Sequence, residues 1–212
     1  LAALTDFRRL VLPDVVGCPV TTVDNAIRGA LREFCTRSWI LRKDLTPIDT
    51  VIDQAEYTLT PPTDNRILGP VYVGYEDEEI FPRTEEQLDR QSRSWRNSAS
   101  GTPYCYVVLE TNKLRLYPPP AKAVTGGLDV RLAVAPTNVA LTVDDFLYDD
   151  WEEVIAQGAL YRLLKMAKKA WSDQIAAGFN YQLYRQGMGR AGIEAEQGRV
   201  RVNNVVTPVP FL

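Results

Sequence analysis

The sequence predicts an α+β protein: an α-helical bundle with an inserted, mainly antiparallel β-rich domain and an extended C-terminal tail. Three observations carry this. Apolar residues near both ends of the chain recur at three- and four-residue steps, the period of amphipathic helices. Between residues 41 and 142 the period shortens to two, with Gly, Pro and Asn clusters marking turns. Helical and strand segments also come in blocks instead of alternating, which argues against a parallel βαβ architecture. The predicted domains are a discontinuous helical domain (1–40 with 143–197), a β-rich domain (41–142) and a docking tail (198–212).

In chain order, Leu4 to Leu12 predicts a short helix with Thr5 as cap, Phe7, Leu10 and Val11 on one side, and Pro13 as its stop. After the turn Gly17-Cys18-Pro19, a longer helix is expected from Thr22 to Ser38. Val23, Ala26, Ile27, Ala30, Leu31 and Phe34 form its stripe, and Asp24 lies in its first turn. Leu45–Val51 and Glu56–Thr60 read as short strands, the second stopped by Pro61-Pro62. Arg66–Tyr75 and Glu79–Pro82 form a hairpin around the acidic tip Glu76-Asp77-Glu78. Successive side chains of an extended chain point to opposite faces, so these acids do not converge on one cation.

Thr84-Glu85-Glu86-Gln87 matches a capping box and opens a helix to Gln91. Ser92 to Ser100 is polar and reads as an exposed loop despite Trp95. Tyr104–Leu109 and Lys113–Tyr117 pair around the turn Thr111-Asn112, and Pro118-Pro119-Pro120 closes the second of them. Leu128, Val130, Leu132 and Val134 alternate along a last strand, Leu128–Ala135, against Asp129, Arg131 and Ala133.

Asp144 to Gln197 is the longest helical pattern, read as two helices with a bend. Trp151, Val154, Ile155, Ala159, Leu163 and Met166 share one face of the first. In the second, Ala177, Tyr181, Tyr184, Met188, Ala191 and Ala195 alternate four- and three-residue steps, the spacing of a seam against another helix. Ser172 or Asp173 caps it. Gly178, Gly187, Gly189 and Gly192 each cost about 1 kcal/mol relative to alanine. Either the helix breaks near Gly187, or a neighbour approaches too closely there for a side chain. Ala177, Tyr181, Tyr184, Gly187, Met188 and Ala191 are the candidate residues for packing against a neighbouring subunit.

Composition narrows function. The chain has no histidine, which removes Ser-His and Cys-His nucleophile pairs and His-bearing metal sites. Its three cysteines, Cys18, Cys35 and Cys105, form no CxxC pair and read as buried free thiols. No apolar run approaches the roughly 20 residues of a membrane span, and no secretory leader is recognisable. We expect no enzyme activity, cofactor or metal. The net charge of −3 is uneven: eight Lys and Arg face three acids between Arg162 and Arg201. That imbalance raises a nucleic-acid-binding module as one alternative. Another is a metal-dependent nuclease built on Asp144, Asp145, Asp149, Asp150, Glu152 and Glu153. Acids at a helix start are better explained by capping and the helix dipole.

Six local motifs stand in order along the chain: Leu12-Pro13-Asp14-Val15-Val16-Gly17-Cys18-Pro19, Ala30-Leu31-Arg32-Glu33-Phe34-Cys35, Tyr57-Thr58-Leu59 before prolines, Gly101-Thr102-Pro103 with Tyr106, Leu114-Arg115-Leu116-Tyr117-Pro118-Pro119-Pro120, and Lys169-Ala170-Trp171-Ser172-Asp173. In their joint order they resemble the head-to-tail adaptor, or connector, proteins of short-tailed bacteriophages. The chain departs from that pattern at Lys168-Lys169, where relatives often carry a proline, and in its glycine density after Gly187.

The resemblance implies a structural virion protein at the head–tail junction, made in the host cytoplasm. It implies a ring of identical subunits, typically twelve, beneath the portal protein. The ring carries the tail nozzle protein and prolongs the channel through which genomic DNA passes without sequence-specific binding. Prolines keep the C-terminal segment out of helix, and its apolar residues do not suit a solvated linker. Arg199, Arg201, Val202, Val205, Val206, Val209, Phe211 and Leu212 are the candidate portal-docking residues. Addition to a sheet edge, burial between portal subunits and folding back on the same domain are the open arrangements.

Overall fold

Proline punctuation and apolar spacing set the N-terminal third. In the computed structural model, which describes residues 1–198, the chain opens with strand β1 (Ala2–Ala3), a 3-10 turn (Leu4–Phe7), helix α1 (Arg8–Val11) and a second 3-10 turn (Leu12–Asp14). The helix expected over Leu4–Leu12 is therefore split, and Thr5 does not cap it. Ala3 takes that position, its N–H donating to the Asp6 carboxylate at 3.1 Å. Pro13 does not stop the chain's turning either, because the first turn of the second 3-10 segment has no use for its missing N–H. Helix α2 (Val20–Ser38) follows directly on Pro19 and ends at Trp39, in the left-handed region with φ 53°. All six residues of its predicted stripe are buried. Because α2 starts earlier than expected, Asp24 lies beyond its first turn and instead accepts two bonds of 2.7 Å from the Arg8 guanidinium.

Strands β2 (Arg42–Asp44) and β3 (Ile48–Thr50) replace the one expected over Leu45–Val51, and β4 (Glu56–Thr58) follows. Pro47, with no N–H for a ladder, lies in the gap between β2 and β3. Strand β5 (Asn65–Tyr75) returns as β6 (Glu78–Glu79) through Glu76 and Asp77, whose φ values of 49° and 66° are the positive pair a two-residue hairpin turn needs. The second arm of the expected hairpin stops there. Strand β7 (Phe81–Pro82) lies in a different sheet, parallel to β8 (Cys105–Glu110). Between them, α3 (Glu85–Gln91) carries the predicted capping box: the Gln87 N–H donates to Thr84 Oγ1 at 3.2 Å and the Thr84 N–H to Gln87 Oε1 at 3.0 Å.

Strand β9 (Lys113–Tyr117) pairs with β8, and β10 (Val124–Pro136) is longer than its alternation suggests, before β11 (Thr142–Val143) closes on β1. The larger sheet runs β2-β10-β5-β6, with β3 also on β10; the smaller runs β4-β9-β8-β7. Apart from the β7–β8 pair, the ladders between these strands are antiparallel. Near its end β10 is buried on both faces, Ala133 and Ala135 included, and α2 packs against this strand.

The C-terminal helical stretch resolves into a short α4 (Asp145–Asp149), then α5 (Glu152–Leu164) and α6 (Gln174–Gln197). The chain does more than bend between the last two: α6 runs back antiparallel along α5, so Tyr181 stacks on Tyr161, Tyr184 lies on Gly158 and Arg190 reaches Trp151. The reversal is pinned by Ser172 Oγ on the Met166 carbonyl and by Asp173, which caps α6 by accepting from the N–H groups of Ile175 and Ala176 at 3.0 and 2.9 Å. One apolar cluster continues from this three-helix bundle of α2, α5 and α6 into the larger sheet. A smaller one joins Leu88, Trp95, Cys105 and Val107, and corrects the reading of Ser92–Ser100 as wholly exposed. Trp95 is 1 % exposed, its Nε1 donating to Asp89 at 2.8 Å.

Candidate functional site

The packing set on α6 divides sharply. Ala177, Tyr184, Gly187, Met188 and Ala191 are buried within the chain itself, between α5 and α2. Tyr184 is their centre. Its ring fills the space over Gly158, its hydroxyl donates to the Ala30 carbonyl of α2 at 2.6 Å, and burial drives its phenol far above the ordinary range. The helix does not break at Gly187. The neighbour that excludes a side chain there is Val154 of α5, whose methyls occupy the place of a Cβ. Tyr181 alone of the six keeps substantial surface, 37 % exposed, with its ring centroid 4.7 Å from that of Tyr161 and the Arg185 guanidinium 6.0 Å above it.

The tail residues Arg199, Arg201, Val202, Val205, Val206, Val209, Phe211 and Leu212 lie outside the described residues.

The acids between Asp144 and Glu153 are spread over separate partners. Asp144 stands at the N-cap of α4, but its carboxylate caps nothing and pairs with Lys43. Asp145 faces the amino group of Leu1 at 2.9 Å, and Glu152 takes the Arg9 guanidinium at 2.6 Å. Glu152 and Glu153 do sit in the first turn of α5, where the helix dipole favours them. Among the described residues no group of three His, Cys, Asp or Glu is placed to hold a metal ion.

Among the described residues, the basic positions from Arg162 onward are likewise dispersed. Arg162 pairs with Glu33 at 2.7 Å, Lys165 lies 4.2 Å over the Tyr161 ring, and Arg190 lies 5.8 Å over Trp151. Such contacts hold these cations to their own bundle along its length. All three cysteines are buried and free. Burial foremost, with Asp144 nearby, pushes the Cys35 thiol up to about 12, which leaves it protonated and unreactive at neutral pH. No helix among the described residues is long and apolar enough to cross a membrane.

Sequence reasoning missed two features here. Nothing local marks Val154 as the partner of Gly187, because the contact joins two helices. The apolar residues on the outward face of α6 are spaced among glutamines and glycines, which dilutes their period in the sequence.

Comparison with known proteins adds the functional context. A search of curated proteins finds no match to the chain. The family model described as SU10 adaptor protein matches residues 1–208, nearly the whole length, and that family comprises structural adaptors of bacteriophages. The chain therefore belongs to the SU10 adaptor protein family, and its role is that of a phage head–tail adaptor.

Proposed function

We propose that the chain forms a ring beneath the portal of a short-tailed phage, twelve copies joining the capsid to the tail nozzle and prolonging the channel for DNA ejection. The observation that carries this reading is the family match over residues 1–208, which reaches past the helical bundle into the tail. A repeated head-to-tail contact between identical subunits closes into a ring when the rotation per subunit divides a full turn. Within that ring Tyr181 is the member of the α6 packing set placed to touch a neighbouring subunit, and the buried five hold it in position from beneath.

The tail is the portal-docking segment in this reading, with Val202, Val205, Val206, Val209, Phe211 and Leu212 supplying the apolar contacts and Arg199 and Arg201 the charged ones. Deleting the chain from Val202 onward should leave a folded protein, with unchanged circular dichroism, that no longer binds purified portal in a pull-down. Retained binding sinks the role of the tail. A cryo-electron micrograph of the virion neck tests the whole reading, and a neck without this chain between portal and nozzle would reject it.

A further inference from the structure

The outward face of α6 packs against no other element among the described residues. Ile175, Phe179 and Ile193 stand 88, 62 and 57 % exposed on it. With Gln182, Gln186 and Gly189 they form a second stripe, spaced four, three, four, three, four, which repeats the spacing of the inner seam two residues out of step. That is the repeat of a helix facing another helix. The stripe itself bears no charged side chain. Gly178, Gly189 and Gly192 meet nothing within 4 Å where a Cβ would stand, in contrast to Gly158 and Gly187. The helix-weakening effect of these glycines therefore has no compensating contact among the described residues.

We propose that this face pairs antiparallel with the same face of a second copy of the chain, across a two-fold axis midway between Gln182 and Gln186. In an antiparallel pair of helices, alternate stripe positions of one face the other set on its partner. Ile175 then meets the second copy's Ile193, Gln182 meets the second copy's Gln186, and Phe179 enters the gap at the second copy's Gly189. Apolar falls on apolar, amide on amide, and the largest side chain on the smallest. A two-fold contact requires that self-complementarity, and it identifies the occupant as a second copy. Beside the stripe, Gly178 faces the second copy's Gly192, so the backbones approach closely.

Arg185 opposes the pairing, since both copies bring it near the axis, each drawn back over its own Tyr181 ring. Salt should therefore tighten the dimer, by screening these like charges. Three large apolar side chains per copy fall short of the roughly 800 Å² per partner of a standard stable interface, so the dimer is weak. A two-fold contact closes on itself and does not propagate into a ring. The pair is thus a state of the free chain, separate from its place in the neck.

Sedimentation velocity of the full chain over a concentration series tests this. The expected result is a monomer–dimer equilibrium that shifts toward dimer at high salt. Gly189→Leu should melt no earlier than the parent by more than the span of ordinary surface changes, because its Cβ enters open space, yet remain monomeric. Oxidising a mixture of Ile175→Cys and Ile193→Cys chains should give a disulfide dimer, and Ile175→Cys alone little. A parent chain monomeric at every concentration, a Gly189→Leu chain that still dimerises, or Ile175→Cys linking to itself as readily as to Ile193→Cys overturns the proposal.

Discussion

Gly187 and Val154 show how one missing side chain fixes a contact. The Val154 methyls fill the volume a Cβ at position 187 would claim, so any larger residue there must displace a branched side chain with little rotameric freedom. Gly187→Leu is expected to destabilise the fold by about 1–3 kcal/mol, the usual range for overpacking. Chemical denaturation would measure this as a lower midpoint at unchanged slope, and adding Val154→Ala should recover part of the loss, because neighbouring substitutions couple. The glycine was legible in the sequence as an anomaly inside a helix. Its reason was not, since the partner lies 33 positions earlier on another element.

The smaller sheet shows where local reading stops. Its turns and capping box were legible because each depends on residues within a few positions, as at Thr84 and Gln87. Trp95 was not, because its polar neighbours face solvent while the ring turns under the Arg96 and Arg115 guanidinium groups, at 4.5 and 5.1 Å. Asp144 fails in the opposite sense: a good capping residue by type, it is drawn to Lys43, 101 residues away.

The Trp95 cluster also has a pH signature. Hydrogen bonds from Arg96 first, and from the Trp95 indole, hold the Asp89 carboxyl below its ordinary range. A carboxyl depressed in the folded state contributes stability above its unfolded pKa and loses it as pH falls through the folded value. The Trp95 indole N–H resonance should therefore hold its position at neutral pH and move only in acid below the normal aspartate range. Asp89→Asn should flatten that titration.

Across the whole molecule, helices and larger sheet share one apolar cluster, and all three thiols lie inside the fold. The native chain should react only slowly with a thiol reagent, whereas the denatured chain should titrate as three equivalents. A fast-reacting thiol at neutral pH would show that the packing around it is looser than described. The block order of helices and strands gave this α+β class from sequence, because it needs only periodicity. The crossing of the chain between sheets at Ile80 was hidden, since it depends on which strands happen to lie alongside.

The reciprocal fit between α5 and α6 has a mechanical consequence. Tyr184 is seated over Gly158 and Val154 over Gly187, one knob from each helix lodged in the other. Sliding either helix along its axis drives both knobs into backbone at once, so the hairpin resists shear in either direction. A pull on the end of α6 is then borne by interlocked shapes and passed to α2 through the Tyr184 hydroxyl.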